Sequence, residues 1–237
     1  AFAGAAEAAL DTPAPPRAAA LRLVMQEHER MAGHLDALER MADAAGLAPL
    51  HAALGREREL LLRAAEQAFG HRLMMDVVVP GGIAADIAPE GTTALWAAWD
   101  ALGTALAALQ RRLGPLYGRL AAIGHGSGDA EARCRARLAQ IGDSLALLRG
   151  TLAALPDGPV WVALPTESGE GLHHAESLRG TVWHWLRLDH GQIAAGFPGD
   201  PGWMLWPLAE AAMAAAPMED AAMIRLSYGV PCAALDL

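Results

Sequence analysis

The stretch Glu27-His28-Glu29-Arg30-Met31-Ala32-Gly33-His34 sets a carboxylate, a guanidinium and an imidazole three and four residues apart. On a helix, Glu27, Arg30 and His34 share one face. Such a face could hold a buried ion pair or a proton relay; a solvated charged face fits the same spacing. A second group is Glu170, His173, His174 and Glu176. Adjacent histidines point to opposite faces of a strand and do not chelate together there, whereas His173 and Glu176 would share a face on a helix. No H-E-x-x-H is present, so a zinc-protease site is not supported, and a polar loop accounts for the same residues. In Glu176-Ser177-Leu178-Arg179-Gly180, an arginine precedes a glycine and an aromatic strand, Thr181–Trp185. Its fork of donors could hold an anion or a diatomic ligand, or pair with Glu176. The last candidate is Cys232, close to the C-terminus behind Ser227 and Pro231. A lone thiol is commonly a small buried hydrophobe. Cys232, His173 and His174 are the candidate metal ligands.

Other chemistries find no support. Gly70-His71-Arg72 followed by Pro80-Gly81-Gly82 reads as a helix end and a tight turn, either open to a ligand or plain turn chemistry. It lacks the Lys-Ser/Thr of a phosphate loop and the spacing of a dinucleotide fingerprint. No G-x-S-x-G precedes a helix. The net charge of −9 argues against nucleic acid. All 18 basic residues are arginine, which we read as genomic base composition rather than chemistry. No apolar window approaches the twenty or so residues of a membrane span. Two cysteines, Cys134 and Cys232, do not make a disulfide framework. The N-terminal AFAGAAEAALDTPAPPR has neither a charged start nor an apolar run of signal length, so a reducing cytoplasm is expected.

The elements that must position these residues follow from periodicity. With 53% hydrophobic residues, mostly Ala and Leu, and only 5% aromatic, the chain suits closely packed helices. Leu21, Val24, Met25, Met31, Leu35, Leu38 and Met41 fall at helical spacing over 18–45. A second helix is predicted over 50–69, closed by Gly70. A third spans 90–123, broken near Gly114-Pro115. A fourth runs 129–155 with Asp129 as N-cap, after a flexible joint at 124–128. VWVAL (160–164) and TVWHWLRL (181–188) read as strands, and Asp189-His190-Gly191-Gln192 turns the second into a hairpin over 180–197. A short helix at 204–215 and an apolar stretch follow. The prediction is a mainly α protein: a helical bundle of four long helices with a small β-hairpin near the C-terminal third. A loose Ala/Pro-rich segment covers 1–17 and one domain 18–237, with a helical core over 18–155 and the hairpin and C-terminal segment over 156–237.

Taken in order, these fragments resemble the large subunit of nickel-iron hydrogenases and the hydrogenase-like subunit of the respiratory NADH:quinone oxidoreductase, nearest the membrane-bound, energy-converting branch. E-x-E-R-x-x-x-H is similar to Glu27, Glu29, Arg30 and His34. E-x-x-x-G-x-R with P-G-G-x-x-x-D is matched by Glu66, Gly70, Arg72, Pro80, Gly81, Gly82 and Asp86. G-D-x-x-x-R-x-x-x-R with a later Ser is matched by Gly128, Asp129, Arg133, Arg137 and Ser144. E-x-x-R-G-x-x-x-H-W, D-x-G-x-I and P-x-W are matched by Glu176, Arg179, Gly180, His184, Trp185, Asp189, Gly191, Ile193, Pro201 and Trp203. S-x-x-P-C-x-x-C is matched by Ser227, Pro231 and Cys232, with one extra residue before the proline.

The resemblance implies that Cys232 stands where the family has the first thiolate of a C-terminal pair, which with an upstream C-x-x-C holds nickel and iron through four sulfurs. Leu235 occupies the second position, and these 237 residues hold no upstream pair. The family's N-terminal β-region has no counterpart, and its long segment between the third and fourth helices is reduced to Ile123–Gly128. The resemblance therefore implies a frame without the nickel-iron centre, with no cofactor expected, inactive alone. It would dock a partner such as a small iron–sulfur subunit, in the cytoplasm or peripherally on the inner membrane face. Glu27, Arg30, His34, Arg72, Glu176, Arg179 and His184 are expected as a buried polar network left from the centre, with Arg179 against Glu176 or Glu27. Two alternatives stand beside this: one piece of a split enzyme completed by another chain, and a small-ligand or metal binder using the vacated cavity. Seven tryptophans and the apolar excess suggest surface covered by another chain.

Overall fold

The computed structural model describes residues 1–123 and 130–230. The motif residues Gly128, Asp129, Pro231 and Cys232, the predicted cap and the joint at 124–128 lie outside the described residues.

The fold is mainly α. Helix α1 spans Phe2–Ala9, α2 Pro16–Ala44, α3 Ala48–Phe69, α4 Pro89–Arg112, α5 Gly114–Ala122 and α6 Ala130–Ala153; α7 (Gly202–Ala214) and α8 (Ala221–Tyr228) follow the sheet. The predicted stripe of α2 is the core of the molecule: Leu21, Val24, Met31, Leu35, Leu38 and Met41 are fully buried, and α3 and α6 pack on either side of it. The chain leaves α3 through Gly70, left-handed at φ 79°, whose N–H bonds the Glu66 carbonyl. The break near Pro115 is real: α4 passes into α5 at Leu113, with Pro115 in the first turn of α5, where its missing N–H costs nothing.

Three expectations need correction. First, residues 1–17 are not a loose segment, because α1 lies flat on a sheet. It packs with Ala5 and Ala6 against Leu186. An added Cβ at Gly169 or Gly171 would run into the carbonyls of Ala9 and Ala5, so only glycine admits this approach. Second, the hairpin is part of a three-stranded antiparallel sheet, β3 (Gly169–Ser177), β4 (Gly180–Asp189) and β5 (Gln192–Gly199), in the order β3-β4-β5. The segment read as a polar loop is β3. Its partners run from Gly169↔Leu188 to Ser177↔Gly180. The β4–β5 turn is as predicted, with His190 and Gly191 both at positive φ (48° and 75°). Third, 160–164 is not a strand but a single bridge, Gly82↔Trp161. Its partner is a two-residue hairpin, β1 (Val78–Val79) and β2 (Gly82–Ile83), too short to extend a ladder.

Candidate functional site

Alternation divides the sheet into two faces. On the inner face, toward α1, stand His173, Val182, His184 and Leu186; on the outer, His174, Leu172, Trp183 and Trp185. The adjacent histidines are thus split: His174 stacks on Trp183 at 4.7 Å on the outer face, while His173 lies under Gly4. Among the described residues no group of three His, Cys, Asp or Glu could hold a metal ion.

The family-matched residues fall in two places. The first is a polar centre between α2, α6, α8 and the β3–β4 turn. Glu27 and Arg30 share a face of α2, and Ser144 meets them from α6. Arg30 Nη2 lies 2.6 Å from Glu27 Oε2. Ser144 Oγ donates to the same oxygen at 2.7 Å and accepts from Arg30 Nη2 at 3.1 Å. Glu27 is 3% exposed and Ser144 fully buried, so this carboxylate is neutralised inside the protein, as burial demands. Two turns on, Arg137 of α6 and His34 of α2 occupy the same layer. His34 is 1% exposed, and neither ring nitrogen has a hydrogen-bond partner among the described residues. Burial, then the charges of Arg137 and Arg30, push its pKa down to about 3. It is a neutral imidazole at any physiological pH.

The α6 arginines grip the end of α8. Arg133 donates to Ser227 Oγ at 2.7 Å and lies over the Tyr228 ring at 3.8 Å. Arg137 Nη2 donates to the Ser227 carbonyl at 3.1 Å. A Cβ on Gly229 would come within 2.7 Å of Arg137 Nη2, so the left-handed glycine that caps α8 also seats this guanidinium. From the sheet, Leu178 presses on Gly33 of α2, 2.8 Å from where a Cβ would be. This brings the β3–β4 turn onto α2.

Among the described residues the expected contact of Arg179 with an acid is not formed. Glu27 is taken by Arg30. Glu176 is exposed on the outer sheet face and accepts from Thr181 Oγ1 at 2.6 Å. Ser177 Oγ accepts from the Arg179 N–H and donates to the Gly180 carbonyl, fixing the tight turn. The Arg179 charge acts instead on Arg137, whose pKa is lowered mainly by burial. Arg72 is also elsewhere, on the surface with Glu59 at 2.7 Å.

The second place is a cavity of about 810 Å³ between α1, the first half of α2, residues 73–78 and the inner sheet face. His173 and His184 line it with Met25, Gln26, Glu29 and Met74. Burial lowers the pKa of both histidines. One wall is a clamp that sequence reasoning missed. Arg22 pairs with both oxygens of Glu7 (2.9 and 2.5 Å) and donates to the Val79 and Gly82 carbonyls, while Glu7 accepts from the Gly81 N–H at 2.8 Å. The Pro80-Gly81-Gly82 turn is therefore bound to α1 and α2 by a charge-assisted knot. The only signal was a single Glu within an alanine run. His28 was missed too. It donates from Nε2 to the Leu61 carbonyl at 2.9 Å and accepts from Trp99 Nε1 at 3.1 Å, pinning α2 to α3 and α4. Burial pushes its pKa down to about 4.

No protein-family model matches the chain. Among curated proteins, the carbon monoxide-induced hydrogenase of Rhodospirillum rubrum is 23% identical over 269 residues, covering 92% of this chain and 74% of that protein. Among solved structures, a chain of the membrane-bound sulfane sulfur reductase, an archaeal respiratory membrane complex, superposes with a TM-score of 0.87 at 18% identity, covering 96% of this chain and 77% of that one. The likeness is to the energy-converting, hydrogenase-like branch. The fold of that solved chain thus extends over nearly all of this one. Within these 237 residues the donor set for a nickel-iron centre is incomplete. Four soft thiolates are needed, and these 237 residues contain two cysteines. Cys134 is buried in α6, where desolvation pushes its thiol up to about 12, the opposite of what a ligand requires. Cys232 lies outside the described residues.

Proposed function

We propose that this chain is a hydrogenase-like component of a multi-subunit oxidoreductase complex, serving as a frame on which partners dock rather than as the carrier of a nickel-iron centre. The observation behind this reading is a mismatch: likeness along 92% of the chain to a hydrogenase, with a thiol inventory too small for the metal site. In this reading the buried Glu27–Arg30–Ser144 cluster and the Arg133 and Arg137 grip on α8 tie the helices of the frame to one another.

The expected partner is a small iron–sulfur subunit, and the expected location is peripheral, on the cytoplasmic face of a membrane complex. No helix among the described residues is long and apolar enough to cross a membrane. The outer sheet face offers a docking surface, with Leu172, Trp183 and Phe197 each 43–58% exposed. The test is isolation of membranes from the native host without an affinity tag, mild detergent extraction and native electrophoresis. The chain should migrate in a large assembly containing iron–sulfur protein. Migration as a free 25 kDa species under all extraction conditions would overturn the proposal.

A further inference from the structure

We propose that the layer formed by His34 and Arg137, beside the β3–β4 turn that carries Arg179, is a binding site for a small inorganic oxyanion of the phosphate or sulfate type. This inference uses only the side chains of the polar centre and stands apart from the assignment to an oxidoreductase complex.

The first argument is charge. Around this layer the described residues supply one buried carboxylate, Glu27, and it is already engaged by Arg30 and Ser144. Arg137 is 6% exposed, and a single carbonyl, that of Ser227, faces its Nη2. The Arg179 side chain has no carboxylate among the described residues. A buried guanidinium without a counter-charge is expensive, and the positive charge of Arg179 acts on Arg137 as well. A cation would be repelled from such a place, whereas an anion removes the cost.

The second argument is unmet hydrogen bonding. Both nitrogens of His34 and Nε of Arg137 are buried and unpartnered, although buried polar groups are paired as a rule. A neutral imidazole offers one donor and one acceptor. Arg137 Nε offers a donor on the guanidinium edge. That set suits a ligand with several oxygens better than a halide, because a guanidinium presents parallel N–H groups matched to paired oxygens. An oxyanion that carries a proton can also satisfy the acceptor nitrogen of His34.

The third argument is construction. Helical spacing sets His34 two turns from Glu27 on α2 and Arg137 two turns from Ser144 on α6. Gly229 gives Arg137 its seat, and the packing of Leu178 on Gly33 brings the turn that carries Arg179 onto α2 beside His34. Three separate elements converge on the layer.

The test is a titration of the full chain with sodium phosphate, sodium sulfate and, at matched ionic strength, sodium chloride, followed by isothermal calorimetry and thermal melting. Saturable binding of phosphate or sulfate that chloride does not reproduce is expected. Arg179→Met sits in a surface turn, leaves the helical core intact and should weaken binding about tenfold, the loss of one charge-assisted contact. Arg137→Met should abolish it. Arg63→Met, on an exposed helix face, should leave it unchanged. Equal, non-saturating responses to all three salts would overturn the proposal. So would unchanged oxyanion affinity in Arg179→Met, a readout that does not depend on Arg137→Met folding.

Discussion

Acid should unfold this protein from two buried histidines before its carboxylates titrate. His28 and His34 have an ordinary value of 6.5 and are held down to about 4 and about 3 in the native fold. A depressed native value means that the unfolded chain takes up a proton that the folded chain refuses. The stabilisation is thus fully present above pH 6.5 and is lost as pH falls toward 4. Linkage gives about 2 kcal/mol lost per histidine between pH 7 and pH 5, hence about 4 kcal/mol for the pair. That is a large share of the ~5–15 kcal/mol typical of a domain. His173 and His184 shift in the same direction, but they are partly exposed and add less. The assay is urea unfolding followed by tryptophan fluorescence at pH 7, 6 and 5 and constant ionic strength, on dilute protein because the isoelectric point of about 5.4 falls in the range. His28→Gln, which can still donate to Leu61 and accept from Trp99, should roughly halve the loss, and so should His34→Gln. A wild-type stability that changes by less than about 1 kcal/mol over this range, or a slope left intact in both variants, would refute the reasoning.

Three further outcomes follow from the geometry. Glu27→Gln leaves Arg30 and Ser144 without their carboxylate and should cost about 3 kcal/mol, the lower end for a broken buried pair because Arg30 retains some water; chemical denaturation at pH 7 measures it. Trp99→Phe strands Nδ1 of His28 and should cost about 1–3 kcal/mol. It should also raise the pKa of His28, observable by NMR of the ring protons. Gly171→Val removes the close approach of α1 to β3. Amides of Phe2–Ala9 should then exchange at near-unprotected rates while α2 and α6 keep their protection, a local opening that hydrogen exchange separates from global unfolding.

The helices were legible because each carries its own period and its own stop. Leu21 to Met41 falls on one stripe, Gly70 closes α3 and Pro115 divides α4 from α5. Elements that exist only through a distant partner were not. Residues 2–9 have little beyond alanine to suggest a docked helix; what makes α1 is the glycine-bare surface of β3, more than 150 residues away. Gly169–Ser177 looks polar and loop-like because a strand with one face on α1 and the other in water has no continuous apolar run. In the polar centre, the Glu27–Arg30–His34 face was readable from three-and-four spacing. The partner of Glu27, Ser144, comes from another helix, and no local pattern reports it. Sequence proximity pairs Arg179 with Glu176, but strand alternation carries Glu176 to the outer face, where it accepts from Thr181, and the other expected acid, Glu27, is held by Arg30.

The central claim is a hydrogenase-like frame without the family's metal centre. Its most direct test is elemental analysis by mass spectrometry of the chain purified untagged from its native host and separated from its partners. The account predicts nickel far below one atom per chain and no iron beyond trace. Nickel and iron near one equivalent each would contradict it and would mean that the thiolates missing here are supplied from elsewhere in the assembly.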